Sequence, residues 1–396
     1  MSATATFTDH SASPSAARLA RARRATRMQF LALGVVAGTW GAHVASVKTR
    51  YGLSDATLSM ALLAAAVGAV LSLFVAGRFV GRLGARRGAA LAAFACCLML
   101  AVVLELGSLV ALVPAMFLFG ATTSLFDVAI NTEGSELESL GGRAIMSNLH
   151  GMFSVGGMLG AALAGLLLGA GVAPGQQLAA EAAGTAAVAA LASRGMLDTH
   201  AIDAGSDRPA HFVWPRGALL VIGLLILAGM TAEGVMYDWC VLYLKQDLGV
   251  PQARAAIGYA AFAAAMALAR FGGDALRSRY SERSVLRCSA ALAAVAMAVV
   301  LLARHETVAL VGFALVGAGL APVAPILFNA ATRVPGASRA AAIASVTSIG
   351  YSGLMIGPPL VGSIATASSL TAALVVVVLA SALLAACARF VPEQAR

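Results

Sequence analysis

The sequence predicts an all-α integral membrane protein whose twelve transmembrane helices form two homologous six-helix halves. Three observations carry that expectation. Hydrophobic residues make up 60% of the 396 residues and charged ones only 11%, too few to cover a soluble domain of this size. Apolar runs recur at the ~20-residue length that crosses a bilayer. Rare residue types also repeat at a fixed offset of 197 residues, as in the pairs Lys48/Lys245 and Arg86/Arg283.

Residues 1–27 are rich in Ser, Ala and Thr, carry Arg18, Arg21, Arg23, Arg24 and Arg27, and read as a disordered cytoplasmic tail. The apolar run from Met28 is too long for a signal-peptide core and reads as a retained first helix. Helices are expected at about 28–47, 56–77, 88–106, 109–131, 144–170 and 177–194, which form the N-terminal half, 28–194. Six more are expected at about 216–240, 255–276, 285–304, 307–330, 340–366 and 369–390, which form the C-terminal half, 216–391. The sixth is the weakest, being short, Ala-rich and carrying Glu181. A polar stretch at 195–215, with Asp198, Asp203, Asp207, Arg208 and Pro215, reads as the cytoplasmic linker between the halves.

The net charge of +9 does not imply nucleic acid, because the basic residues fall in alternate loops. With the N-terminus inside, 22 of the 27 Lys and Arg lie on the inner side, as the positive-inside rule requires. The expected location is therefore a bacterial inner membrane, with both termini cytoplasmic and the lipid bilayer as surroundings. Five cysteines lie in or at the ends of apolar segments with no metal or haem spacing, so no metal or cofactor is expected.

The offset of 197 also places Gly52 on Gly249, Arg82 on Arg279 and Gly160 on Gly357. Duplicated halves with both ends inside point to alternating access, one half rocking against the other around a midplane site. Two inner segments occupy matching places. The first runs Gly77-Arg78-Phe79-Val80-Gly81-Arg82-Leu83-Gly84-Ala85-Arg86-Arg87, and its counterpart includes Arg270, Asp274, Arg279 and Arg283. Arg270 and Asp274 are four apart and are expected to pair on one helix face. The first segment resembles the G-x-x-x-D-R-x-G-R-R loop of the major facilitator superfamily, with Gly81 where the family has an acid. The resemblance extends over all twelve helices and implies the major facilitator fold, with these segments as inner-gate packing.

Several polar groups lie at membrane depth, where an ionisable side chain costs at least ~2.5–3.5 kcal/mol and must face protein or a watery cavity. Thr123, Asp127 and Asn131 share one face of the fourth helix. His150 lies about two turns into the fifth helix, near the same depth, and an Asp127–His150 contact is expected. Glu233 lies deep in the seventh helix, and Tyr237 is one turn further on. Asp238 and Trp239 follow near the outer interface, where Trp anchoring is the ordinary explanation. Asp127-Val-Ala-Ile-Asn131 resembles the acid-x-x-x-Asn of fucose-permease-like members, which implies that Asp127 handles protons and sugar. The Glu233-Gly-Val-Met-Tyr-Asp238-Trp239 stretch resembles the E-G-x-x-x-D-W of bacterial members near that branch. His43 stands where related sequences have Arg. In this superfamily helices one, four, seven and ten line the central cavity, and Trp40, Asp127, Glu233 and Asn329 fall on that set.

No G-x-x-x-x-G-K-[ST] phosphate loop, H-E-x-x-H helix or G-x-S-x-G elbow is present, so neither ATP hydrolysis nor these enzyme classes are indicated. The expected protein is a monomeric secondary transporter moving a small organic solute, neutral or weakly polar, with protons. Asp127, Glu233 and His150 are the proton-coupling candidates. Trp40, His43, Asn131, Tyr237 and Asn329 are the cavity candidates. Gly77, Arg82, Gly84, Arg86, Arg270, Asp274, Arg279 and Arg283 are the gate candidates. The rivals are a proton-driven drug or metabolite efflux antiporter and, outside transport, a membrane receptor or sensor.

Overall fold

The computed structural model describes residues 15–197, 215–335 and 338–392, and it is helical almost throughout. In chain order the helices are α1 (Ala16–Arg50), α2 (Asp55–Val102), α3 (Leu109–Gly141), α4 (Met146–Gly169), α5 (Pro174–Ser193), α6 (Ala218–Gln246) and α7 (Gln252–Arg279). They continue with α8 (Glu282–Ala303), α9 (Glu306–Leu320), α10 (Val323–Ala331), α11 (Arg339–Ala367), α12 (Leu370–Ala373) and α13 (Val375–Cys387), and a 3₁₀ turn closes the series. The linker from 198 to 214 lies outside the described residues, as does the tail before Ser15.

Among the described residues, ten stretches are long and apolar enough to cross a membrane, with α9–α10 and α12–α13 each counting once. The expected twelve differ from these ten at two places. The 48-residue α2 is broken at Gly84, whose φ of 75° and ψ of 157° are non-helical. Both ends of α2 lie at the same end of the bundle. Lys48 pairs with Asp55 at its start, and Tyr51 donates to the carbonyls of Val103 and Leu106 just past its finish. The helix is therefore a hairpin of two crossings with Gly84 at the apex. The other place is α5, whose Gln177 and Glu181 dilute its apolarity. It lies antiparallel along α1, with Glu181 bonded by the Thr39 hydroxyl and Ala189 and Ser193 bonded by Gln29.

Four expected boundaries move. The basic stretch from Arg18 to Arg27 belongs to α1, since Ser15 caps a helix that begins at Ala16. Residues 16–27 are therefore not a disordered tail. The turn expected after residue 131 is helical to Gly141 and ends at Gly142, with φ 58°. The segment 77–87 is helix on both sides of Gly84, and the helix expected to end near 276 continues to Arg279. In each case the charge suggests a loop, whereas the helices project past their apolar spans.

The halves meet along two seams, α4 with α7 and α2 with α11, and α1 also touches α6. Within the first half, α1 and α4 approach at backbone distance. A Cβ on Gly38 would stand 2.0 Å from the Gly157 carbonyl oxygen, and one on Gly160 would stand 2.4 Å from that of Val35. Small residues at such spacing let membrane helices touch. Side chains such as Phe74, Leu166, Leu268 and Leu302 cover the outside, as a lipid-facing surface requires.

Candidate functional site

A cavity of about 340 Å³ lies between the halves, walled by α1, α2, α3, α4, α6 and α11. Its polar and aromatic lining comes from Trp40, Phe119, Thr123, Ser124, Asp127, Phe153, Asp238 and Tyr351. The α3 contribution follows from helical periodicity, because Gly120, Thr123, Ser124 and Asp127 fall on one face. Gly120 is required there, since a Cβ would sit 1.9 Å from the Ala65 oxygen of α2. Asn131, one turn on from Asp127, donates from Nδ2 to its Oδ1 and to its backbone oxygen, both at 2.9 Å. Asn131 thus orients the carboxylate and leaves its other oxygen for the cavity. Trp40 and Phe119 lie with ring centroids 5.4 Å apart and planes at 44°.

Beside the cavity stands an intramembrane ion pair. Arg270 of α7 reaches Glu233 of α6 at 3.1 Å, and the Tyr237 hydroxyl donates to the same carboxylate oxygen at 3.0 Å. The other arm of the guanidinium donates to Ser154 Oγ at 2.7 Å and to the His150 carbonyl at 3.5 Å, both on α4. Ser147 Oγ in turn donates to the Arg270 backbone oxygen at 3.1 Å. One cation therefore neutralises an acid of the second half while binding the first half. Such groups are tolerated at this depth because they answer one another.

Several expected candidates stand elsewhere. His150 does not meet Asp127; its ring lies edge-on to Phe30, with centroids 5.3 Å apart. His43 is fully buried and bonded to Ser46 at 3.1 Å, away from the cavity. Tyr237 packs against Tyr259 and Phe262 rather than lining the cavity. Asn329 is at the end of α10, donating to Glu282 at 2.8 Å beside the Arg333–Glu282 pair. Arg270 is a membrane-depth partner of Glu233, and the side chain of Asp274, its expected partner, lies outside the described residues. Arg283 caps the Val391 carbonyl at 3.0 Å, while Arg82, Gly77 and Arg279 are exposed.

Asp238, Tyr351, Phe119 and Phe153 are cavity residues that the sequence does not single out. The neighbouring Trp239 suggests an interfacial anchor and draws Asp238 with it to the membrane surface, yet Trp239 is wholly buried. Tyr351 belongs to a Gly-Tyr-Ser-Gly run that reads as helix packing. Its only sequence signal is an aromatic among small residues. Other hollows lie away from this cavity. One is a 570 Å³ groove across α7, α8 and α9 with no charged group among its described lining residues, and another is a 290 Å³ crevice beside Glu181.

Comparison with known proteins agrees with this architecture. The sequence model of the Major Facilitator Superfamily matches residues 219–396. An uncharacterised MFS-type transporter of Yersinia pestis is 34% identical over 369 residues, covering 92% of this chain and 94% of that protein. Among solved structures, a D-xylose-proton symporter superposes with a TM-score of 0.73 at 16% identity, covering 93% of this chain and 97% of the other. The fucose:proton symporter of E. coli gives 0.64 at 16% identity, covering 94% and 98%.

Proposed function

The chain belongs to the major facilitator superfamily, whose members are transporters and not enzymes, and from that premise we propose that it carries a small organic solute across the membrane with protons. Two six-helix halves, 28–194 and 216–391, rock about the cavity they share. Both termini face the cytoplasm of a bacterial cell, and the working unit is a monomer. The observation that carries this reading is the placement of Asp127 and Asp238 in a cavity between the halves, next to the Glu233–Arg270 pair that joins them.

Asp127 takes the proton in this scheme. It opens on the cavity, and Asn131 holds its carboxylate in one orientation. Glu233 is the second proton-linked group. A proton on Glu233 cancels the charge that Arg270 answers and frees the guanidinium from α6, so the contact between the halves changes with protonation. At membrane depth an ionisable group left without its partner is unfavourable, so protonation of Glu233 favours a rearrangement of Arg270. The names of the xylose and fucose neighbours support proton coupling as the first hypothesis to test.

The test is solute-dependent proton movement in proteoliposomes containing the full chain. Asp127→Asn and Glu233→Gln are each expected to abolish proton-driven accumulation while leaving solute exchange across equal pH. Full proton-driven flux in both variants would remove the coupling assignment.

A further inference from the structure

Resting on that transport reading, we propose that the solute is a small organic cation, an amine held by carboxylates and flanked by aromatic rings. Two acids, Asp127 and Asp238, line the cavity, and no Lys, Arg or His is among its described lining residues. The nearby cations are engaged elsewhere. Arg270 is bound to Glu233 and Ser154, and Lys48 is bound to Asp55. A carboxylate in an apolar enclosure is answered by a proton or by a counter-charge; with the proton assigned to Asp127, Asp238 is left for a cation that the solute brings.

The rest of the wall fits the same ligand. Trp40 and Phe119 form an open angle, and Phe153 and Tyr351 complete the aromatic lining. Aromatic faces attract an ammonium group through their negative quadrupole. A polyol would find acceptors in the two carboxylates but few donors, because the amide beside the cavity, Asn131, is tied to Asp127. An anion would meet two carboxylates with no answering cation. Asp238, beside Trp40, is therefore assigned to the ammonium group, and Asp127 keeps the proton role.

Calorimetric binding to the full chain in detergent tests this with matched probes: phenethylamine, 2-phenylethanol and phenylacetate, then tryptamine against tryptophol. The amines are expected to bind about tenfold or more tightly than the alcohols, with the acid weakest. Asp238→Asn should remove that preference while leaving the thermal midpoint unchanged. Alcohols or the acid binding as well as the amines, or no amine binding at millimolar concentration, would overturn the inference. Proton flux in proteoliposomes separates it from the transport reading. Flux driven by a neutral solute but not by amines leaves transport standing and the cation assignment lost. Amine binding with no solute movement does the reverse.

Discussion

Arg270 is one residue at which polar contacts join the two halves, since it binds Glu233 on α6 and Ser154 on α4. Its removal strands a carboxylate at membrane depth. Arg270→Ala is expected to lower the thermal midpoint, and Glu233→Gln combined with Arg270→Gln to cost less than the two single changes added. The coupling should be about 0.5–3 kcal/mol, at the lower end because both side chains are partly exposed. Strict additivity in a double-mutant cycle would show that the pair does not act as a unit. Glu233 is legible in the sequence as a deep acid needing a cation. Its partner is not, because spacing alone offers Arg270 the acid at Asp274, four residues on, and a contact across helices leaves no mark in local spacing.

At the scale of the element, glycine decides where helices turn and how closely they lie. Gly84 holds a positive φ at the apex of the α2 hairpin, in a region that costs a residue with a Cβ about 1–3 kcal/mol. Gly38 faces the Gly157 carbonyl at a distance no Cβ tolerates, whereas Gly81 has open space around it. Gly84→Ala and Gly38→Ala are therefore expected to lower the thermal midpoint and the folded yield in membranes. Gly81→Ala should be neutral or stabilising by up to about 1 kcal/mol, since alanine favours helix. Equal losses in all three would remove the geometric explanation. The apolar spans themselves are legible in the sequence, because bilayer thickness fixes their length. Their ends are not, because charged residues continue a helix into water as readily as they end it.

At the scale of the molecule, the repeat seen in the sequence reappears as geometry. Gly52 and Gly249 both turn with positive φ. Lys48 bonds Asp55 at 2.5 Å where Lys245 bonds Gln252 at 3.0 Å, the same contact with an acid replaced by an amide. That replacement lets Gln252 cross to the other half, donating to the Ala42 oxygen at 2.9 Å and to Ser46 Oγ at 2.7 Å. Near the same end Gly362 of α11 lies against Ser59 of α2. These contacts tie the halves at the end of the bundle away from Gly84, on the side assigned to the cell exterior. If they hold the cavity shut there, Gln252→Ala should shift the protein toward the outward-open state. The measurement is labelling of Ala37→Cys, a cavity position, by an impermeant maleimide applied to right-side-out vesicles in a cysteine-free background. Labelling is expected to rise several-fold in Gln252→Ala and in Gln252→Glu alike, since a carboxylate keeps the Lys245 contact but cannot donate to the Ala42 oxygen. Unchanged labelling would mean that helix packing at Gly362, and not the Gln252 bridge, keeps the exterior side closed.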